Sequence, residues 1–366
     1  MVELNPPENP YVQLLASNIP ARFPLYCPGP PTSEFVNKYR KTERISAVPV
    51  YVGEDDFLIP KLLGFDAISL WQFRSPKKSP ISINDGIVID AWGRKKRGKW
   101  YLNDGVLMSE HAWDEWLASG FFSYPSDQEF IALAASLREL IQGPLAGMAF
   151  DASIAGAFEK MWQGMGFSRF AIALKKGSSL IGIAMDHLLA FSLGMVERWV
   201  KCTGIKNFII TDDMAYKGRP LISPRDWETW VLPRYQNFTQ KLHSLGCRVI
   251  LHSDGQVEPL IPLFIKAGFD ALQALEPAAG LDIFRVMKQY KGQIMLIGNL
   301  DVSDLLVYGS PQDVTNQTQR ILLFARKMGA RLAISPSQQI DVSCRPENIT
   351  AMCQTTLNFS LKCSSL

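Results

Sequence analysis

Cysteine is scarce and unpatterned in this chain. Its 366 residues include six, Cys27, Cys202, Cys247, Cys344, Cys353 and Cys363, and no two form a CxxC pair. This spacing gives no sign of a disulfide framework and the first residues carry no signal-peptide pattern, so a reduced, cytoplasmic chain is expected. Charge is nearly balanced, with a formal net of +3. No Lys/Arg block is long enough to make a nucleic-acid surface, and the one basic cluster, Arg94-Lys95-Lys96-Arg97 with Lys99, reads as a solvated hairpin tip. Long apolar runs are missing too. The most apolar stretch, Leu180–Val200, is interrupted by Asp186 and His187 and closes in Glu197-Arg198, which predicts a buried helix rather than a membrane span. No low-complexity tract occurs, no linker separates two domains, and no GxGxxG turn follows an expected strand. The last absence counts against a doubly wound, dinucleotide-binding sheet.

What the chain does contain is a recurring strand-and-exit unit, clearest in Arg248–Pro277. The run Val249-Ile250-Leu251 lacks alternation, as a strand buried on both faces does, and breaks off in His252-Ser253-Asp254-Gly255. Those four residues would not sit in a dry core without partners. A helix is expected from about Val257 to Ala267, stopped by Gly268, and then Ala271–Leu275 closes in Glu276-Pro277. The pattern repeats: Phe208–Thr211 runs into Asp212-Asp213, Ile294–Ile297 into Gly298-Asn299-Leu300-Asp301, and Leu332–Ile334 into Ser335-Pro336-Ser337-Gln338-Gln339. Successive βα units with polar residues at the strand exits predict an α/β fold, a single (β/α)8 TIM-type barrel.

Earlier in the chain, residues 1 to about 45 read as an N-terminal extension with a helix over Ser33–Thr42. Ala47–Val52 reads as the first strand, leaving through Gly53-Glu54-Asp55-Asp56. Residues 81 to 107 read as a small antiparallel hairpin insertion, and Gly147–Phe150 as a short strand leading to Asp151. Later helices are expected over Leu180–Lys201, Pro311–Met328 and Pro346–Leu357, and from Ser223 to Gly246. The aromatics of Ser223–Tyr235 read as core. Two adjacent carboxylates point in different directions, so at most one of Asp212 and Asp213 faces a ligand. The other would cap the next turn or pair with Arg219, and Asp254 has a similar alternative as a cap of the helix near Val257.

In chain order, TDDMAYKGRPLISPRDWETWVLPRY, LHSDG, ALEPAAGLDI, LIGNLDV and ISPSQQIDVSCRPENI resemble the uroporphyrinogen decarboxylase superfamily, most strongly from about Thr211 to Met352. The block IVIDAWGR, beginning at Ile87, is similar to a DxxGR-type hairpin on the methyltransferase-like side of that superfamily. The superfamily holds porphyrinogen decarboxylases and cobalamin- or coenzyme M-dependent methyltransferases. The resemblance implies a TIM-type barrel with its site at the strand carboxyl ends, and a homodimer.

The decarboxylase branch implies an RQAGRY-type loop of carboxylate clamps, whereas here Arg22 and Arg40 stand alone. Gln338 stands where that branch has a His before Pro346-Glu347-Asn348, and an amide carries neither proton nor charge near neutrality. Asp55 or Asp56 would replace the pyrrole-binding carboxylate. The thiol-activating branch implies His-x-Cys and a later Cys. Here His252-Ser253-Asp254 and Gln338 occupy those places, with Cys344 six residues late, so a thiolate-rich site is not expected. An oxygen/nitrogen metal site of His252, Glu276 and Asp213 or Asp254 suits zinc.

The resulting expectation is metal-assisted transfer of a methyl group from a small methoxy-type substrate to a corrinoid protein, with no tightly bound organic cofactor. Asp213, His252, Asp254 and Gln338 would act in catalysis, and Asp55, Asp56, Asp212 and Asn299 in substrate binding. The alternatives are decarboxylation of uroporphyrinogen III and a barrel that binds a tetrapyrrole or corrinoid without turnover.

Overall fold

The structure, a computed structural model, describes residues 3–73, 76, 80–98, 100–120 and 122–359. Lys99 and Cys363 lie outside them. Eight parallel strands pair in chain order: β1 Tyr26–Cys27, β2 Ala67–Leu70, β3 Ala149–Ala155, β4 Asn207–Thr211, β5 Arg248–Ser253, β6 Ala271–Ala274, β7 Met295–Leu300 and β8 Leu332–Pro336. A parallel bridge between Leu25 and Ile334, with the Ile334 amide donating to the Pro24 carbonyl at 2.9 Å, joins the last strand to the first. The fold is the expected (β/α)8 barrel.

Three local expectations change. The first barrel strand is Tyr26–Cys27, inside the segment that reads as an extension, because two residues are too few to show a pattern. Tyr51–Val52 instead pairs antiparallel with Asp55–Asp56 in a two-residue hairpin that is no part of the barrel. β3 runs on through Asp151 to Ala155, so Asp151 sits inside the barrel and not at a strand exit.

The amino-terminal segment closes the bottom of the barrel. A helix over Pro10–Leu15 is capped by Asn9, whose amide donates to the carbonyls of Asp66 (2.8 Å) and Gly147 (2.7 Å), next to the starts of β2 and β3. Its Tyr11, Leu14 and Leu15 pack with Tyr26, Ala67, Ala149, Ile209, Ile250, Ala271, Met295, Ile297 and Ala333 as one interior cluster.

Outside the barrel, the helices expected over Ser33–Thr42, Pro311–Met328 and Pro346–Leu357 have those bounds. The helix Ser179–Thr203 is long and apolar enough by composition to cross a bilayer, yet 67% of its most apolar window is buried inside the protein. The Ser223–Gly246 stretch breaks at Val231 into helices Pro224–Trp230 and Leu232–Ser244, with Trp227 and Tyr235 buried as core.

The hairpin insertion is a four-stranded antiparallel sheet of Ile81–Ser82, Ile87–Ile89, Arg94–Arg97 and Trp100–Gly105. It docks on the helix Phe158–Met165 that follows β3. Gly105 permits the contact, since a Cβ there would lie 2.0 Å from the Gly164 carbonyl oxygen. The Leu107 amide then donates to that oxygen at 2.9 Å, and the Tyr101 hydroxyl to the Gln163 carbonyl at 2.8 Å.

Candidate active site

A cavity of about 350 Å³ opens at the carboxyl ends of the strands. Its lining includes Asp212, Asp213, His252 and Gln338 from the strand exits, and Trp71, Trp92, Arg94, Glu159 and Lys160 from the β2 end, the inserted sheet and the helix after β3. The strand-exit residues follow from the grammar of parallel barrels, in which loops after the strands supply the chemistry.

The turn after β5 is tightly determined. Gly255 has φ +86°, and a Cβ on it would lie 2.7 Å from the Ala215 carbonyl carbon, so Gly255 lets the turn lie against the loop after β4. The Asp254 amide donates to Asp213 Oδ1 at 3.0 Å, and the Met214 amide to Ser253 Oγ at 2.9 Å. These bonds bring His252 Nε2 to 3.9 Å from Asp213 Oδ1 and 3.7 Å from Asp254 Oδ1. His252 Nδ1 pairs with Gln273 Oε1. That bond makes Nδ1 the protonated nitrogen and leaves Nε2 facing the two carboxylates.

One ligand atom from each of Asp213, His252 and Asp254 lies within 4.8 Å of the others. Asp254 Oδ1 is buried without a hydrogen-bond partner, the condition of an oxygen that awaits a cation. Two carboxylates and an imidazole are hard-to-borderline donors that zinc accepts, so these residues fit a divalent metal. Electrostatics agree. Burial, helped by Glu159 and Asp254, pushes the Asp213 carboxyl up to about 7, with His252 pulling it down. Burial lowers the His252 imidazole, but Asp254, Asp213 and Gln273 outweigh it and the net shift is upward.

The cluster differs from the expected metal set in one member. Glu276 Oε2 accepts the Gly255 amide at 2.9 Å and so braces the turn, and Asp254 takes its place beside Asp213 and His252. Asp254 caps no helix, since the helical turn after Val257 has no side-chain cap. Asp212 is fully buried: its Oδ1 accepts the Glu159 amide at 2.6 Å, and its Oδ2 the Phe158 amide at 3.1 Å and the Tyr235 hydroxyl. It caps the helix after β3, with both oxygens engaged, while the residue also borders the cavity. Asn299 is buried on β7 and donates to the Leu275 carbonyl at 3.1 Å. Asp56 pairs with Arg40 at 2.8 Å and accepts the Val50 and Leu58 amides, away from the cavity, and Asp55 shares its hairpin. Gln338 lines the cavity as expected.

The lining residues away from the strand exits carry the weakest sequence signal. Arg94 belongs to the basic cluster that reads as a solvated tip, yet it lines the cavity. Asp90 holds it there, accepting Arg94 Nε at 2.7 Å and the Trp92 and Arg94 amides at 3.0 and 3.1 Å, while Arg94 Nη1 donates to Gln163 Oε1 at 2.6 Å. The IVIDAWGR block was the available signal. Glu159 pairs with Lys160 and accepts Gln163 Nε2 at 2.8 Å. Burial raises its carboxyl, but Lys160, Arg94 and Gln163 leave it below its ordinary value. No strand-exit pattern marks Glu159 or Lys160, because both lie in a helix. The five described cysteines are free and none lines the cavity, with burial pushing the Cys27 thiol up to about 12.

Comparison with known proteins adds the family. The family described as uroporphyrinogen decarboxylase (URO-D) matches residues 133–359, more than half of the chain. A methylated-thiol–coenzyme M methyltransferase of Methanosarcina mazei is 24% identical over 149 residues, 41% of this chain and 37% of that protein's length. A solved structure titled methyltransferase from Methanosarcina mazei superposes with a TM-score of 0.70 at 16% identity, covering 95% of this chain and 98% of its own. At that identity the likeness speaks for the fold. Together with the site geometry, the family match establishes that the chain belongs to the uroporphyrinogen decarboxylase family.

Proposed function

We propose that this protein is a metal-assisted methyltransferase that moves a methyl group from a small, methoxy-type substrate to a corrinoid protein. The observation that carries this reading is the Asp213–His252–Asp254 cluster at the cavity, with its unpartnered Asp254 oxygen. Asp213, His252 and Asp254 would hold zinc. When bound, the metal acts as a Lewis acid toward the oxygen of the methylated group. Gln273 fixes the His252 ring through Nδ1, Glu276 fixes the turn that carries Asp254, and Gln338 offers an amide to orient the substrate. Arg94 and Lys160 also offer N–H donors to the cavity, and Trp71 and Trp92 bound it with aromatic surface.

The related Methanosarcina mazei protein is named for methyl transfer, which supports this direction of chemistry. The decarboxylase alternative has less support, because Asp55 and Asp56, the carboxylates it would use, do not line the cavity. The reduced cysteines fit a cytoplasmic protein, and the homodimer implied by the family would be read by sedimentation.

The test is elemental analysis with a methyl-transfer assay. About one zinc per chain is expected, lost in a His252→Ala/Asp254→Ala variant, together with methylation of reduced cobalamin by 4-methoxybenzoate or a similar methoxy compound. A wild type that takes up no metal when supplied with zinc would sink the reading.

A further inference from the structure

Beneath the cavity floor the barrel interior holds a carboxyl group that the site described above does not use. Asp151, on β3, is fully buried, and its Oδ2 accepts the Tyr11 hydroxyl at 2.5 Å. Its Oδ1 has no partner. Around it, on four adjacent strands, four more buried polar atoms lack partners: Tyr26 Oη on β1, Ser69 Oγ on β2, Ser153 Oγ on β3 and Asn207 Nδ2 on β4. Ser69 is the register partner of Asp151, so both point into the barrel side by side. Tyr26 and Asn207 act on the Asp151 carboxyl and Ser69 on the Tyr26 phenol, so these atoms make up one buried polar cluster inside the barrel. The cluster reaches the cavity, because Ser69 also lines it.

We propose that Asp151 is a proton store for the cavity, joined to it through the Tyr26 and Ser69 hydroxyls and the water they hold. The groups facing Asp151 are the Tyr11 phenol from the bottom helix, the Tyr26 phenol from β1 and the Asn207 amide from β4. None of the three carries positive charge. Burial pushes the Asp151 carboxyl up to about 7, with these three polar groups opposing. A carboxyl so placed holds a proton near neutrality and can release it. Tyr26 faces both Asp151 and Ser69: burial and then Asp151 raise its phenol, and the Ser69 hydroxyl lowers it. It therefore stays protonated and can pass a proton by accepting one and giving one.

The role in turnover rests on the proposed methyl transfer. There the C–O bond of the methoxy group breaks, the methyl joins the nucleophilic reduced corrinoid, and the electron pair left on oxygen takes one proton. Asp151 would give that proton by way of Tyr26, Ser69 and water, and recover it from solvent.

Infrared difference spectroscopy of the full chain tests the store without an activity. The raised Asp213 and Asp212 carboxyls absorb in the same C=O region. The expected result is therefore a protonated-carboxyl C=O component, present in wild type and lost in Asp151→Asn, that fades as pH rises through about 7 and shifts rapidly in D2O. Ser69→Ala should keep the band and slow its exchange about tenfold or more. A spectrum with no component lost in Asp151→Asn, or equal exchange of that component in Ser69→Ala, would overturn the proposal. If Asp151→Asn does not fold, carbon-13 aspartate labelling with Ser69→Ala decides the same points. Where the band behaves as expected and no methyl transfer is found, the store stands and the proposed reaction falls. Methyl transfer that is unchanged in rate and pH profile by Asp151→Asn would remove the store from turnover.

Discussion

The two halves of the barrel contribute to the cavity in different ways. In the half from β4 to β8, the polar groups follow directly from strand ends: Asp213 after β4, His252 at the end of β5, Gln338 after β8. The backbone of the sheet sets where each side chain starts, and short hydrogen-bonded turns do the rest. In the half from β1 to β3, the groups come from a helix (Glu159, Lys160), an inserted sheet (Trp92, Arg94) and the end of β2 (Trp71). Their positions depend on packing between segments far apart in the chain, such as Gly105 against Gly164. The first half should therefore fail at individual ligand atoms, and the second at contacts remote from the cavity.

The largest expected effect tests the first half. Asp254→Asn or His252→Ala should weaken zinc binding by about 100-fold or more, measured by chelator competition, since the first removes a negative charge and the second a nitrogen donor from the proposed metal set. A site that keeps full affinity without Asp254 would dissolve the contrast with Glu276.

Next comes Asp151, beneath the second half. Its native carboxyl titrates near 7, above the ordinary value of 3.8. The native state thus binds the proton more tightly than the unfolded chain. Its contribution to stability is complete at low pH and is lost as pH rises from about 4 through about 7. Relative to wild type, Asp151→Asn should gain stability between pH 5 and pH 8, by about 2–3 kcal/mol. Urea denaturation at both pH values reads this, and parallel curves for the two proteins would refute it.

A smaller effect is expected at the sheet contact. Gly105→Ala should cost about 1–3 kcal/mol through overpacking, seen as a lower urea midpoint. It should also weaken substrate binding while leaving zinc content unchanged. Loss of zinc in this variant would show that the halves are not independent.

Arg94→Gln keeps the polar reach but loses the guanidinium. It should raise KM for 4-methoxybenzoate about tenfold, roughly 1.4 kcal/mol, with little change in kcat. The smallest effect belongs to Glu276→Gln, whose amide oxygen can still accept the Gly255 N–H. Zinc affinity there should change by less than about threefold, a few tenths of a kcal/mol.

The contrast between the halves also explains what could be read in advance. Apolar runs ending in polar residues mark β4, β5, β6, β7 and β8, and so the barrel, Asp213, His252 and Gln338 are legible. β1 was hidden because it is two residues long. Asp55 and Asp56 follow an apolar run just as Asp212 and Asp213 do, and no local signal separates a barrel strand from a small hairpin. Nor could the strand pattern tell that β3 continues past Asp151 and buries it.

By itself, then, the sequence determined the fold class, the order of the later strands and the residues that stand at their exits, because period, β-branched runs and helix caps are local properties. Only the tertiary structure decided which carboxylates meet. Asp254 rather than Glu276 faces His252, Asp212 turns inward to cap a helix, and Arg94 leaves its basic cluster to line the cavity. Each of these depends on hydrogen bonds and close approaches between segments well separated in the chain, and such distances are not encoded in any local pattern.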